Sequence, residues 1–174
     1  MRRVRPVILA LAVLALSAAP AAAGGKPERF HEPALPLLVP GGPEGACPFD
    51  VQFENTIDQL KTFVFPVDSN DEQRIVFVGH VVLEATNLET GESVLLPNNG
   101  KLTLWFRADG SVDASFAGQI MAFYFAADEP VSSLGQGIWY VRGHGTETYD
   151  AEGNLLSASA TGGVQDVCAL LAAS

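Results

Sequence analysis

The sequence predicts an all-β domain: an antiparallel meander of about 8–10 strands forming a β-barrel, with a β-sandwich as the alternative, closed by one disulfide. Three observations predict it. Turns of one form, with glycine in the last position, recur at Gly91, Gly110 and Gly153, as expected of hairpins that follow one another along the chain. Apolar residues alternate with polar ones over several short runs, the period of a half-buried strand. No run carries the period of a long amphipathic helix. Sequential hairpins favour the barrel, because closure removes exposed edges.

The chain opens with Met-Arg-Arg-Val-Arg-Pro, an apolar run over residues 7–19, then Pro20 and Ala21-Ala22-Ala23. A basic start, an apolar run too short to span a bilayer and a small-residue site read as an export signal, residues 1–23, cut after Ala23. Residues 24–46 follow as a flexible leader, with Pro27, Pro33, Pro36, Pro40 and Pro43 among glycines. Proline lacks a backbone donor and fixes φ, so this stretch is neither a helix nor an inner strand. Residues 47–174 are read as a single β domain.

Within that domain, Phe49, Val51 and Phe53 alternate with Asp50, Gln52 and Glu54, a strand beginning beside Cys47. Strands are expected over residues 60–65, 74–79, 81–87 and 93–96, separated by Pro66, the acidic loop 67–73 and the Glu89-Thr90-Gly91 turn. The hairpin over 101–118 turns at Ala108-Asp109-Gly110, which pairs Phe106 with Val112, Leu104 with Ala114 and Leu102 with Phe116. Its other face, with Thr103 and Trp105, is expected to be wet. Residues 119–126 are apolar on both faces, as in a central strand. The last long hairpin turns over 150–154, with Gly153 in the left-handed position. Its expected register pairs Tyr149 with Leu155, Glu147 with Ser157 and His144 with Ala160. Its second strand is poor in large side chains, which implies close approach by something. A short helical tail is expected after Cys168.

The formal charge is −10, and loss of Arg2, Arg3 and Arg5 with the signal takes it to −13. Such a balance argues against phosphate-backbone binding and against docking on anionic lipid. Cys47 and Cys168, the only two cysteines of an exported chain, read as one disulfide. No long apolar stretch follows the signal, so no membrane anchor is expected, and the domain is expected to be an extracellular monomer.

The chain has no G-x-S-x-G nucleophile motif and no H-x-H, H-x-x-x-H or C-x-x-C. No catalytic residue, metal or cofactor is therefore assigned. Gly143-His144-Gly145 exposes backbone on a strand, as at a bulge or a barrel bend. Tyr140, Arg142, His144 and Thr146 fall on one face there. Tyr140, Arg142 and His144 are the candidate ligand-binding residues, since a polar and aromatic row beside small residues is one way to line a pocket.

Ala46-Cys47-Pro48-Phe49, Thr86-Asn87-Leu88-Glu89-Thr90-Gly91 and Asp166-Val167-Cys168-Ala169-Leu170-Leu171 are turn and disulfide motifs. Over residues 46–171 the chain resembles a group of exported actinobacterial proteins of unassigned function. The resemblance implies a secreted, disulfide-closed β domain and carries no activity. The reading that follows is a secreted, non-enzymatic β domain binding a small apolar ligand or a cell-envelope component. Two alternatives stand beside it: a barrel enzyme of cyclase or isomerase type with a site around His144, and an extracellular protein-binding or inhibitor module. A hollow lined by the row of residues 142 and 144 favours a binder or an enzyme. A filled interior with an exposed aromatic loop favours the module.

Overall fold

The β-branched and alternating runs become strands. The computed structural model describes residues 25–31, 36–128 and 131–173; the expected signal, residues 1–23, lies outside them. Among the described residues the strands are β1 (Glu28–Phe30), β2 (Leu37–Val39), β3 (Val51–Asp58), β4 (Lys61–Val64), β5 (Gln73–Val78), β6 (Val81–Asn87), β7 (Ser93–Pro97), β8 (Gly100–Phe106), β9 (Val112–Tyr124), β10 (Gly137–Tyr149) and β11 (Leu155–Asp166). One α-helix, α1 (Val167–Ala172), follows them, capped by the Asp166 carboxylate, which accepts from the Ala169 N–H at 3.1 Å.

The strands pair as two antiparallel sheets, seven-stranded in the order β1-β4-β5-β8-β9-β10-β11 and four-stranded in the order β2-β3-β6-β7. The expected meander is therefore interrupted. β5 pairs with β8 because the β6–β7 hairpin leaves the larger sheet and joins β3. Among the described residues no ladder joins the edge strands β1 and β11. Within the stretch read as a flexible leader, β1 and β2 are paired strands, and both lie at sheet edges, where a neighbouring proline disrupts no inner ladder. Val39 of β2 is buried in the core.

The hairpin of β8 and β9 has the expected register, with Phe106 opposite Val112, Leu104 opposite Ala114 and Leu102 opposite Phe116. Its expected wet face is partly covered: Thr103 is 4% exposed, as buried as Leu104 at 8%, and Trp105 is half-buried. In the last hairpin Tyr149 faces Leu155 as expected, but a bulge between Thr148 and Tyr149 then shifts the ladder by one residue. Glu147 faces Ala158 and His144 faces Thr161, not Ser157 and Ala160. The extra residue, Leu156, is left 55% exposed. A bulge of this kind is invisible to a count outward from the turn, because two residues oppose one.

The main core lies between the two sheets and α1. Val51, Phe53, Ala85 and Leu96 of the smaller sheet meet Met121, Ile138 and Tyr140 of the larger, and Val167 and Leu171 seal one end. Phe53 and Phe123 meet edge to face, centroids 5.4 Å apart. The bridge between Cys47 and Cys168 sits in the same cluster, Cα atoms 5.5 Å apart. Asn87, 2% exposed, holds the 87–92 turn to the helix: its Nδ2 donates to the Leu171 carbonyl at 3.3 Å and its Oδ1 accepts from the Glu89 N–H at 2.9 Å.

A second cluster exists because the long strands fold back on themselves. Tyr124 pairs with Gly137, ten residues from Glu147 along β10. A straight strand would separate those positions by about 33 Å. Yet the Tyr124 hydroxyl donates to Glu147 Oε1 at 2.9 Å. The bend falls at a row of four glycines, Gly100, Gly118, Gly143 and Gly162, opposite one another across β8 to β11. Gly118 and Gly162 have φ of +105° and +109°, which side-chain-bearing residues rarely adopt. A Cβ at Gly143 would fall 1.9 Å from the Thr161 carbonyl oxygen. The fold-back brings Ala122, Tyr124 and Trp139 against Tyr149, Leu155 and Ala158. The small side chains of β11 also admit Ser132, which forms a bridge to Ala158.

Candidate functional site: a cationic cleft on the larger sheet

The glycine row divides β9 and β10 into two halves. On one half, the face carrying Tyr140 lies under the four-stranded sheet. On the other half the same face is open and forms a cleft of about 590 Å³. Strand register arranges the residues of this face in rows. Phe63, Val76, Thr103, Ser115 and Thr146 make the central row. Lys61, Val78, Lys101, Ala117 and His144 make the next on one side, and Arg74, Trp105, Asp113 and Thr148 the next on the other. The Arg74 guanidinium lies over the Phe65 ring, 3.8 Å from its centroid, so the cation is part of an aromatic wall. Arg29 lies over Phe63 at 5.8 Å.

Charge is distributed unevenly over this acidic chain. Five of the seven lysines and arginines in the described residues, Arg29, Lys61, Arg74, Lys101 and Arg142, share this face of the larger sheet. Asp113 is the one acid at a strand position on it, and that carboxylate is occupied. Arg107 bonds Asp113 Oδ2 at 2.7 Å, and the Thr148 hydroxyl donates to Oδ1 at 3.0 Å. Arg107 also pairs with Glu72 at 2.8 Å. These partners push the Arg107 pKa up, the Asp113 hydrogen bond most of all. Among the described residues no carboxylate lines the cleft itself.

The candidate residues share a face but not an environment. His144 is exposed and lines the cleft. Arg142 is exposed on the same face, beyond the cleft wall. Tyr140 is packed into the main core, with its hydroxyl donating to the Pro97 carbonyl at 2.7 Å. Burial pushes the Tyr140 phenol up. The residues that bring charge and aromatic surface to the cleft, Arg74, Lys101, Phe63, Phe65 and Trp105, lie on three other strands and on the segment after β4. Period-2 alternation was the available signal, once the pairing of β5 with β8 is known.

The fold-back cluster holds the other functional-looking group, Glu147. It is 8% exposed and accepts from Tyr124 at 2.9 Å and from Tyr149 at 2.7 Å. Among the described residues no ion pair reaches it. Burial holds its carboxyl above the ordinary carboxylate range, and burial beside Glu147 pushes both phenols up. Folding therefore retains a proton that the unfolded chain loses. The sign follows from linkage: stability is greatest below the unfolded carboxylate pKa, about 4.3, and falls as pH rises through the folded value. Glu147→Gln keeps an acceptor for the tyrosines and removes the charge. Urea unfolding across pH 4 to 8 should show the variant gaining stability relative to the parent as pH rises. A constant difference over that range would show that Glu147 does not titrate abnormally.

A second cleft, about 610 Å³, lies over the disulfide between Pro43, Phe49 and Ala169. Among the described residues lining it there is no lysine, arginine or histidine. Among the described residues no three histidine, cysteine or acidic side chains come together as a metal site, and no helix is long and apolar enough to cross a membrane. The disulfide marks a non-reducing compartment, one consistent with the outside of the cell. No protein-family model, curated protein or solved structure matches the chain.

Proposed function

We propose that this chain is an exported, non-enzymatic β domain that holds a small, largely apolar ligand in the cleft of its seven-stranded sheet. The observation that carries this reading is the cleft of about 590 Å³ with Phe63, Phe65 and Trp105 in its walls. Small-molecule sites are mostly apolar hollows of about 300–1,000 Å³ with a few placed polar groups. Export is supported by the basic start, the apolar run and the disulfide. The architecture is read as an open sandwich, not a closed barrel; the packing of the four-stranded sheet on one end of β9 and β10 and the unpaired edges support it.

The neutral fluorophore N-phenyl-1-naphthylamine tests the reading. Its emission should rise on addition of the folded protein. Ala117 lines the cleft between Lys101 and His144, so Ala117→Trp should obstruct the cleft and abolish the rise while circular dichroism stays unchanged. An equal rise with the variant would move the site elsewhere, and no rise with the parent protein would remove the binding reading.

A further inference from the structure

We infer that the ligand of this cleft is a single-chain amphiphile with one anionic head, a fatty-acid-like carboxylate in free solution. The inference rests on the cleft being the binding site, and goes further by naming the chemistry. Its carrier is charge complementarity. A chain with net charge −10 gathers Arg29, Lys61, Arg74, Lys101 and Arg142 on one sheet face. The single acid on that face is already bonded by Arg107 and Thr148. A strongly acidic protein repels anions at long range, so a cationic, acid-free hollow on it selects against that background.

The rows give the ligand an orientation. Arg74 is stacked on Phe65 and, with Trp105, closes one end of the cleft. Lys101 and His144 share the row at the other end, with Lys61 next to them across β5. Lys101 and Trp105 are four residues apart on β8, roughly 14 Å. The head lies at the Lys101 and His144 row, where ammonium and imidazole donors are free of acidic partners in the cleft lining. The body runs over Val76 and Phe63 towards Trp105. Thr103 and Ser115 add hydroxyls to the floor without charge.

Titration of the full mature chain with dodecanoate and with dodecanol, below their aggregation limits and followed by tryptophan emission, separates head from body. Dodecanoate should bind about tenfold more tightly, the size of one charge-assisted contact. Lys101→Gln, at an exposed position, should bring the two within about threefold. Arg74→Gln should weaken both probes alike, since that side chain belongs to the wall. Equal binding of the two probes by the parent protein overturns the anionic head and leaves the apolar-ligand reading standing. A preference undiminished in Lys101→Gln overturns the assignment of the head to this row. Binding to phosphatidylglycerol vesicles without binding of free dodecanoate overturns it in favour of a membrane surface. Failure of both probes and of N-phenyl-1-naphthylamine removes the cleft reading and this inference together.

Discussion

Replacing Cys47 and Cys168 together by serine should lower the unfolding free energy by about 4–5 kcal/mol, the chain-entropy value for a closed loop of more than 100 residues. The bridge spans 121 residues of sequence. It joins the segment before β3 to the first turn of α1, and so fastens both ends of the domain to the main core. Cys47 is 2% exposed and Cys168 9%, packed with Ala46 and Leu171. Paired serines also place two hydroxyls among apolar neighbours, which adds to the loss. Urea denaturation of the double variant against the oxidised parent measures it. A midpoint unchanged within error would mean that the unfolded chain is already held compact, and that the bridge is incidental to stability.

Gly143→Ala should be the most damaging single methyl in the chain, at about 3 kcal/mol or more, above the usual cost of overpacking. The added Cβ meets a backbone oxygen, that of Thr161, at 1.9 Å. A carbonyl in the β10–β11 ladder cannot swing aside as a side-chain end does. Relief requires opening the ladder at the bend, and the bend is what brings Tyr124 to Glu147. The variant should therefore lose the fold-back cluster before the main core. Hydrogen exchange should show early loss of protection at residues 155–160, with β3 and β6 still protected. Gly91→Ala is the matched comparison, since nothing lies within 4 Å of its added Cβ and only its φ of +80° is strained. If Gly143→Ala costs no more than Gly91→Ala, the glycine row is not the hinge.

Elements governed by nearest neighbours were legible in the sequence. The hairpin of β8 and β9 has its expected register because the turn at Gly110 and the two-residue alternation specify it locally. The disulfide was legible because two cysteines in a chain read as exported leave one pairing. The Gly143-His144-Gly145 stretch was read as a bulge or a barrel bend, and its pairing on both sides runs without a bulge. The candidate row was legible as a face but not as a site: alternation puts Tyr140, Arg142 and His144 on one side of β10, and says nothing of what lies above them. The four-stranded sheet covers Tyr140, while His144 remains at an open cleft.

The sequence by itself determined the all-β class, the turns, which strands pair across them and the bridge, because each depends on local backbone preference or on a count of two. The tertiary structure alone decided that β6 and β7 leave the larger sheet, that β9 to β11 fold back, and that five cations from five strands share one face. Glu147 illustrates the difference. In the sequence it is one acid on an alternating strand beside polar threonines, a solvent-facing pattern. In the fold its neighbours are two phenols, one of them from the far end of the neighbouring strand. Long-range packing makes those contacts, and alternation carries no information about which distant surface a strand's face will meet.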